Sequence, residues 1–285
     1  MVIGFFGDYV LIEELGRGDM GIVYKARDLS RNGLVALKML QAGTGATEDD
    51  LRRLKNEAQV AAWLDHPHIV PIFEVGQLDG RLYIGMKLID GPSLERKLGE
   101  FAADPKASAR LVKTLAEAVH YAHQRGTLHL DLNPHNVLID ESGEPHVIDF
   151  GLAKRVQADS DLIQNGAILG TPACMAPEQV SGQRGRVTTA TDVYGLGAIL
   201  YALMTGRAPF GADSPAETLA QVCDGTPEPP SKHHPWIARD LEIIVLKCLE
   251  REPERRYSSA AALSDDLGRY RNGKLILPGL SGLAI

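Results

Sequence analysis

The hydrophobic pattern of the chain changes at residues 90–92, and this change restricts the possible folds more than any other feature. From residue 9 to about residue 88, apolar residues occur in short β-rich runs separated by turn signals such as Asp79-Gly80. Further along, apolar residues recur at helical spacing over residues 107–123, 189–205, 216–223, 237–249 and 259–270. Because the strands precede the helices instead of alternating with them, the sequence predicts an α+β protein with separate β and α parts.

The β-rich part is predicted to be a small antiparallel lobe with about five strands and one helix. Within it, Thr47 and Asp50 match a capping box, and the helical spacing that follows ends at His66-Pro67. We expect this lobe over about residues 9–89 and a larger helical lobe over about residues 90–270, inside one domain of residues 1–270. Residues 271–285 contain Gly and Pro without periodicity and are predicted to be a short, frayed C-terminal tail.

The composition argues against several classes of function. The chain has 285 residues and a net charge of −7, which disfavours binding to nucleic acid or to an anionic membrane. Its three cysteines are widely separated, which disfavours a disulfide framework or a structural zinc site and indicates a cytoplasmic location. The N-terminus does not resemble a signal peptide, and no apolar run approaches the roughly 18 residues that span a bilayer.

Residues 127–140, T-L-H-L-D-L-N-P-H-N-V-L-I-D, are predicted to form a tight loop between a helix and a short strand. Asp131, Pro134 and Asn136 interrupt an otherwise mainly apolar run. A carboxylate and an amide five residues apart suit the binding of a metal ion and a hydroxyl group. The sequence therefore places candidate catalytic chemistry in this loop.

Residues 16–23, G-R-G-D-M-G-I-V, lie between two predicted strands. A dinucleotide-binding turn would be followed by a helix instead. Glycines allow the backbone to close over a triphosphate and to direct its amides at the phosphates. The alternative is an ordinary glycine-rich hairpin, and Asp19 is an unfavourable neighbour for phosphate groups.

Lys38 ends the apolar strand segment V-A-L-K, residues 35–38. An unpaired ammonium group buried in a strand costs several kcal/mol, so a carboxylate partner is expected. Glu57, in the middle of the predicted helix, is the candidate. The alternative is a lysine on an edge strand that extends to water.

Several motifs of this sequence, in the order in which they occur along the chain, resemble those of bacterial eukaryotic-like Ser/Thr protein kinases. The quoted segments are H-L-D-L-N-P-H-N at residues 129–136, V-I-D-F-G at 147–151, G-T-P-A-C-M-A-P-E at 170–178 and T-D-V-Y-G-L-G at 191–197. They are similar to the catalytic loop, the metal-binding D-F-G, the G-T-P to A-P-E segment and a conserved core helix of that family. The resemblance covers about residues 9–270 and implies the bilobal protein-kinase fold, with ATP and Mg²⁺ as cofactors and a protein hydroxyl group as acceptor.

The resemblance implies a role for each matching residue. It makes Asp131 the group that orients the acceptor hydroxyl and accepts its proton, while Lys38 and Glu57 position the triphosphate. The remaining implied roles are metal binding for Asn136 and Asp149, hydrogen bonding beside the catalytic Asp for Thr171, and the catalytic-loop lysine position for Asn133. The implied nucleotide site contains Leu15, Gly16, Gly18, Gly21, Val23, Ala36, Lys38, Met86, Lys87, Ile89 and Leu138, and the backbone of residues 87 and 89 would bond to adenine.

The resemblance also implies three structural roles in the helical lobe. Glu178 pairs with Arg256, and Asp192 caps the backbone of the catalytic loop from within the core. Cys174 stands where the family usually has an aromatic residue. We interpret it as a small buried hydrophobic residue, the alternative being a reactive thiol.

Two substitutions separate the catalytic loop from the family pattern H-R-D-L-K-P-x-N. Asn133 replaces a lysine that neutralises the transferring phosphoryl group, and losing one such donor costs about 10² to 10³ in rate. Leu130 replaces an arginine that pairs with a phosphorylated activation loop, and Ser160 and Thr171 are the only hydroxyl residues between the D-F-G and A-P-E motifs. We therefore expect a slow activity that does not depend on loop phosphorylation.

Three readings of the function remain open. The leading one is a Ser/Thr protein kinase that uses Mg-ATP, in which His135 either donates to phosphate or faces solvent. The second is a pseudokinase that binds a nucleotide or a partner protein. The third is a small-molecule phosphotransferase, which shares the D-L-N-P-H-N loop, although the D-F-G and G-T-P to A-P-E segments oppose it.

Overall fold

The computed structural model describes residues 2–18, 21–40, 48–150, 163–164, 167–168, 172–182 and 184–276. Within these ranges the predicted α+β architecture is confirmed, with a β-sheet lobe followed by a helical lobe. The two lobes meet at residues 88–92, close to the change in hydrophobic pattern.

The small lobe is a six-stranded antiparallel sheet with the strand order β1-β2-β3-β4-β6-β5. The strands are β1 (Gly4–Phe6), β2 (Tyr9–Gly18), β3 (Gly21–Asp28), β4 (Gly33–Leu40), β5 (Ile72–Leu78) and β6 (Arg81–Lys87). The prediction of about five strands missed β1. This strand has only three residues, Gly-Phe-Phe, which are too few for an alternating pattern to be recognised in the sequence.

The two faces of this sheet have separate apolar cores. Val35 and Leu37 belong to one core, whereas Ala36 belongs to the other, as expected for alternate residues of β4. Lys38 therefore lies on the Ala36 face, where Ala58 of helix α1 (Glu48–Ala61) also packs. This face of the sheet also packs against residues of the helical lobe, including Leu138.

The helical lobe is built around α5 (Thr189–Thr205), whose residues from Thr191 to Thr205 are all buried. The other helices are α2 (Leu98–Phe101), α3 (Pro105–His123), α4 (Pro177–Val180), α6 (Pro215–Asp224), α7 (Arg239–Cys248) and α8 (Ala260–Arg271). The five helices predicted from periodicity are confirmed, with ends within a few residues of those expected. Although α5 is apolar on all sides, no helix in the described ranges is long and apolar enough to cross a membrane.

A short hairpin holds the catalytic-loop region against the sheet. Its strands are β7 (Val137–Ile139) and β8 (Pro145–Val147). The Val70 amide donates to the Val147 carbonyl, and the Val147 amide donates to the His68 carbonyl. Gly91 lies beside β7. A Cβ atom added to Gly91 would be 1.8 Å from the Ile139 carbonyl oxygen, so only glycine fits at position 91.

After α8, residues 272–275 are exposed, but Ile276 returns to the core. Ile276 is 8% exposed and belongs to the core of the helical lobe. Ile276 is thus one apolar side chain within the predicted tail that reaches the core, although no periodicity marks it.

Candidate active site

The loop between α3 and β7 brings three predicted site residues together. Asn133 Nδ2 donates to Asp131 Oδ1 at 2.9 Å, and Asn136 Nδ2 donates to Asp131 Oδ2 at 2.8 Å. Both amides also donate to the Asp131 carbonyl oxygen. Asn133 Oδ1 accepts from the His135 amide at 2.9 Å, at the start of the helical turn Pro134–Asn136. Each oxygen of the Asp131 carboxylate thus has its own side-chain donor.

The backbone before Asp131 is fixed from the core. The His129 and Leu130 amides donate to the two Asp192 carboxylate oxygens at 2.8 and 2.7 Å, which confirms the predicted capping role of Asp192. Leu130 has a φ of +67°, a left-handed conformation that costs leucine about 1–2 kcal/mol. The hydrogen bonds of its neighbourhood hold it there.

The His129 ring connects Asp131 to the segment that carries Asp149. Its Nδ1 accepts from the Asp131 amide at 3.2 Å, and its Nε2 donates to the Ile148 carbonyl oxygen at 2.8 Å. The ring also packs edge-on against Phe150, with 4.6 Å between centroids. The two parts of the candidate site are therefore held in a fixed relation to each other.

The pKa of the Asp131 carboxyl is raised above its ordinary value. Burial is the main cause, and the nearby Asp149 carboxylate acts in the same direction. The hydrogen bonds from Asn136 and Asn133 oppose this shift without cancelling it. A carboxylate with a raised pKa is a stronger base, which suits a group that accepts a proton from a hydroxyl.

Lys38 and Asp149 form a buried ion pair across the cleft between the lobes. Lys38 Nζ lies 2.7 Å from Asp149 Oδ2, and the two side chains are 7% and 16% exposed. Asp149 has a left-handed φ of +64°. The sequence predicted Glu57 as the partner of Lys38. Glu57 lies in α1, but its side chain is outside the described residues, so that pair remains a prediction.

The donors beside this pair fit a hard cation such as Mg²⁺. Because Asn136 uses Nδ2 for its bonds to Asp131, its Oδ1 is the atom that would serve as a ligand. Asp149 supplies a carboxylate. Across the part of the chain that the structure describes, no group of three His, Cys, Asp or Glu side chains is placed to hold a metal ion. Phosphate oxygens would complete the shell, as is usual for Mg²⁺.

Five apolar residues predicted for the nucleotide site, among them the adenine walls Val23, Ala36 and Leu138, lie in one cluster. Its members from the predicted set are Val23, Ala36, Met86, Ile89 and Leu138. In the sheet, residue 23 pairs with residue 38 and residue 36 pairs with residue 86, so three strands contribute to this wall. The Lys87 side chain is exposed, so the identity of this side chain does not affect the hydrogen bond predicted between the backbone of residue 87 and adenine.

The glycine-rich segment turns between β2 and β3. Gly16 and Gly18 end β2, and a Cβ atom added to either would meet no atom within 4 Å. Gly21 begins β3 with a φ of +143°, where a Cβ atom would lie 2.0 Å from the Met39 carbonyl oxygen. Gly21 is therefore required by the fold, whereas Gly16 and Gly18 leave open space that a ligand can approach. Leu15, which precedes them, is half exposed.

A buried ion pair supports the segment that follows residue 171. Arg256 contacts Glu178 with two bonds of 2.7 Å, which confirms the predicted pair, and Thr191 Oγ1 donates to Glu178 Oε1. Burial raises the pKa of the Cys174 thiol to about 12, and the nearby Asp131 carboxylate adds to the effect. Cys174 is therefore a small buried hydrophobic residue, as interpreted from the sequence.

Some predicted features fall outside the described residues, and one contact was missed besides that of Lys38 with Asp149. The features outside are Asp19, Thr47, Gly151, Ser160 and Thr171. This missed contact is made by Gln179, whose side-chain Nε2 donates to the Leu130 carbonyl oxygen at 2.8 Å. No local periodicity signals a bond between residues 49 positions apart.

Comparison with known proteins identifies the family of the chain. Residues 9–267 match the protein kinase domain family. The chain is 38% identical over 273 residues to the serine/threonine-protein kinase PknB of Mycobacterium tuberculosis, and 34% identical over 260 residues to PknH of Mycobacterium bovis. These alignments cover 93% and 91% of this chain but 43% of each relative, so the chain spans less than half the length of these curated relatives.

A solved structure has the same fold. The crystal structure of the Mycobacterium tuberculosis PknI kinase domain is 28% identical to this chain, with a TM-score of 0.72 over 93% of this chain and 97% of that chain. The resemblance inferred from the motifs is thereby confirmed. The fold, the order of the motifs and these matches show that the chain belongs to the protein kinase domain family.

Proposed function

We propose that this chain is the catalytic domain of a Ser/Thr protein kinase that transfers the γ-phosphoryl group of Mg-ATP to protein hydroxyl groups. We further propose that the transfer is slow and does not depend on phosphorylation of the activation loop. One observation carries the proposal: the Asp131 carboxylate is held by two amides, beside the buried pair of Lys38 and Asp149. A basic carboxylate next to a lysine and a metal-binding carboxylate is what phosphoryl transfer to a hydroxyl requires.

Asp131 would act on the acceptor hydroxyl group. Asn133 and Asn136 fix the plane of its carboxylate, so the group is oriented before a substrate arrives. Its raised pKa favours acceptance of the hydroxyl proton. The protein thus supplies a preorganised base whose position does not depend on the substrate.

Lys38, Asp149 and Asn136 would act on the nucleotide. Lys38 would hold the α- and β-phosphates, with Glu57 as the partner predicted from the sequence. Asp149 and Asn136 would hold Mg²⁺, which when bound neutralises charge on the β- and γ-phosphates. Gly16 and Gly18 would let backbone amides approach the same phosphates.

The environment of Asn133 supports the slow rate. Its amide is neutral and already bonds to Asp131, and its oxygen accepts from the His135 amide. No cationic group therefore extends from this position toward the phosphoryl group, which lowers the rate by about 10² to 10³ relative to a lysine. The exposed His135 is the alternative donor if it is protonated. Leu130 is buried and apolar, so it cannot bind a phosphorylated loop.

The substitutions Leu130 and Asn133 favour a second candidate function. A pseudokinase that binds ATP or a partner protein without transferring phosphate would also tolerate Leu130 and Asn133. Transfer of labelled phosphate from ATP to the chain itself and to a basic test protein separates the two. The kinase proposal predicts labelled phosphoserine or phosphothreonine with wild type and almost none with Asp131→Asn. Labelling by wild type that does not exceed the background seen with Asp131→Asn, with ATP still stabilising the fold, would establish the pseudokinase.

The partners of this domain follow from the proposed reaction. They are ATP and a protein with an exposed Ser or Thr, and the net charge of −7 gives no support for nucleic-acid binding. We propose that the reaction takes place in the cytoplasm. The three cysteines, all free thiols, support this location.

A further inference from the structure

Gln179 connects two parts of the site through its side-chain amide. It lies in α4, directly after Glu178, and is 6% exposed. Its Oε1 accepts from the Ala176 amide at 3.0 Å, and its Nε2 donates to the Leu130 carbonyl oxygen at 2.8 Å. Both ends of the amide are therefore used inside the protein, one toward the segment before α4 and one toward the catalytic loop.

The bond to Leu130 acts on the peptide group that joins it to Asp131. The Leu130 amide is held by Asp192, and the Leu130 carbonyl is held by Gln179. These two bonds fix both sides of a residue whose φ of +67° is unfavourable for leucine. Without the bond from Gln179, this peptide group would keep only the longer bond of 3.2 Å from its Asp131 amide to His129 Nδ1, and rotation of the peptide would move the Asp131 side chain.

We propose that Gln179 is a positioning residue for Asp131. Through it, the segment that includes the turn Pro172–Cys174 is linked to the catalytic carboxylate by neutral hydrogen bonds. Leu130 has no charged group with which to bind this segment, and the hydrogen bond from Gln179 to its carbonyl oxygen connects the two without charge. This inference rests on the proposed kinase function.

A purely structural role of Gln179 in α4 would use only its Oε1 atom, which accepts from the Ala176 amide. The bond from the Ala176 amide to Gln179 Oε1 is half of a capping box and stabilises the start of α4. The positioning role uses the other end, Nε2. Gln179→Glu separates the two roles, because a carboxylate keeps the acceptor for the Ala176 amide but cannot donate to the Leu130 carbonyl.

The test compares Gln179→Glu with the matched control Gln221→Glu. Gln221 is exposed on α6, and its Oε1 accepts from the Gly211 amide, so the same substitution keeps that bond. For Gln179→Glu we expect kcat to fall about tenfold while the KM for ATP stays within about twofold. The loss relative to wild type should shrink as the pH falls, because a protonated carboxyl group can donate again. Gln221→Glu should match wild type.

Hydrogen–deuterium exchange of peptides covering residues 127–136 provides a readout without catalysis. The positioning role predicts faster exchange there in Gln179→Glu, and no change in Gln221→Glu. If wild type transfers no phosphate but the exchange still rises, the kinase function fails and the link to the catalytic loop stands. Unchanged kcat, or unchanged exchange in residues 127–136, would overturn the inference. If Gln179→Glu does not fold, Gln179→Met is measured in the same way, with the same expected fall in kcat and rise in exchange.

Discussion

At the scale of single residues, the proposed role of Asp131 as the base predicts that its ionisation sets the acid limit of the reaction. Burial raises its pKa, so kcat/KM should fall on the acid side above the ordinary aspartate value of about 3.9. Asn133→Ala removes a hydrogen bond that lowers this pKa, so the acid limb should move to higher pH. The pH profiles of kcat/KM for the two proteins check this. The ionisation of ATP is the same in both, so a limb that stays in place or moves to lower pH would contradict the assignment.

Leu130 leads to a prediction about regulation. Because it is buried and cannot bind phosphate, a phosphate on Ser160 has no basic partner at this position. Ser160→Ala, or treatment of wild type with a phosphatase, should change kcat by less than about twofold. A matched measurement on Thr171→Ala should show a clear loss, since the resemblance to protein kinases implies a hydrogen-bonding role for Thr171 beside the catalytic Asp. A large loss in Ser160→Ala would show that loop phosphorylation matters.

At the scale of elements, helix α5 supports the catalytic loop by close contact. A Cβ atom at Gly195 would lie 2.7 Å from Leu132 Cβ and 3.1 Å from the Leu132 carbonyl oxygen. Gly195→Ala should therefore destabilise the protein by about 1–3 kcal/mol and lower kcat, because Leu132 follows Asp131. In the control Gly99→Ala, also within a helix, the added methyl meets no atom within 4 Å.

Denaturant unfolding and kcat measured on both variants separate packing from helix propensity. Alanine is intrinsically better than glycine in a helix by about 1 kcal/mol, so Gly99→Ala should be neutral or slightly stabilising. Similar stability changes in the two variants would show that the contact between α5 and Leu132 has no special importance.

The buried pair between α4 and the turn before α8 should matter more for stability than any exposed pair. Arg256→Ala leaves the Glu178 carboxylate buried without its partner, which costs about 3–5 kcal/mol. Lys232→Ala breaks an exposed pair with Glu228 that solvent screens, so its effect on stability should be much smaller. Thermal unfolding of both variants compares them, and a difference of less than about 1 kcal/mol would contradict the buried role.

At the scale of the whole molecule, the sequence predicted most of the fold because the relevant signals are local. Helix α5 occupies the predicted residues 189–205, since a long apolar run with caps at both ends defines it. Strand β1 was missed because three residues are too few to carry a recognisable pattern. Ile276 was missed because its burial depends on the core that it meets, and its own neighbours in sequence do not indicate it.

The candidate site was predictable residue by residue but not in all its contacts. Motif spacing identified Asp131 and Asn136, and the structure brings them within 2.8 Å. The contact between Lys38 and Asp149 and the bond from Gln179 to the catalytic loop join distant parts of the chain. Such pairs are set by the tertiary fold, so no spacing in the sequence indicates them.

The most direct test of the central claim is kcat for phosphate transfer in wild type and Asp131→Asn at saturating Mg-ATP, with the Kd for Mg-ATP measured on both. If Asp131 is the base of a working kinase, kcat should fall at least about 10²-fold while Kd stays within about twofold. An equal kcat in the two proteins, or no transfer by wild type despite nucleotide binding, would contradict the account.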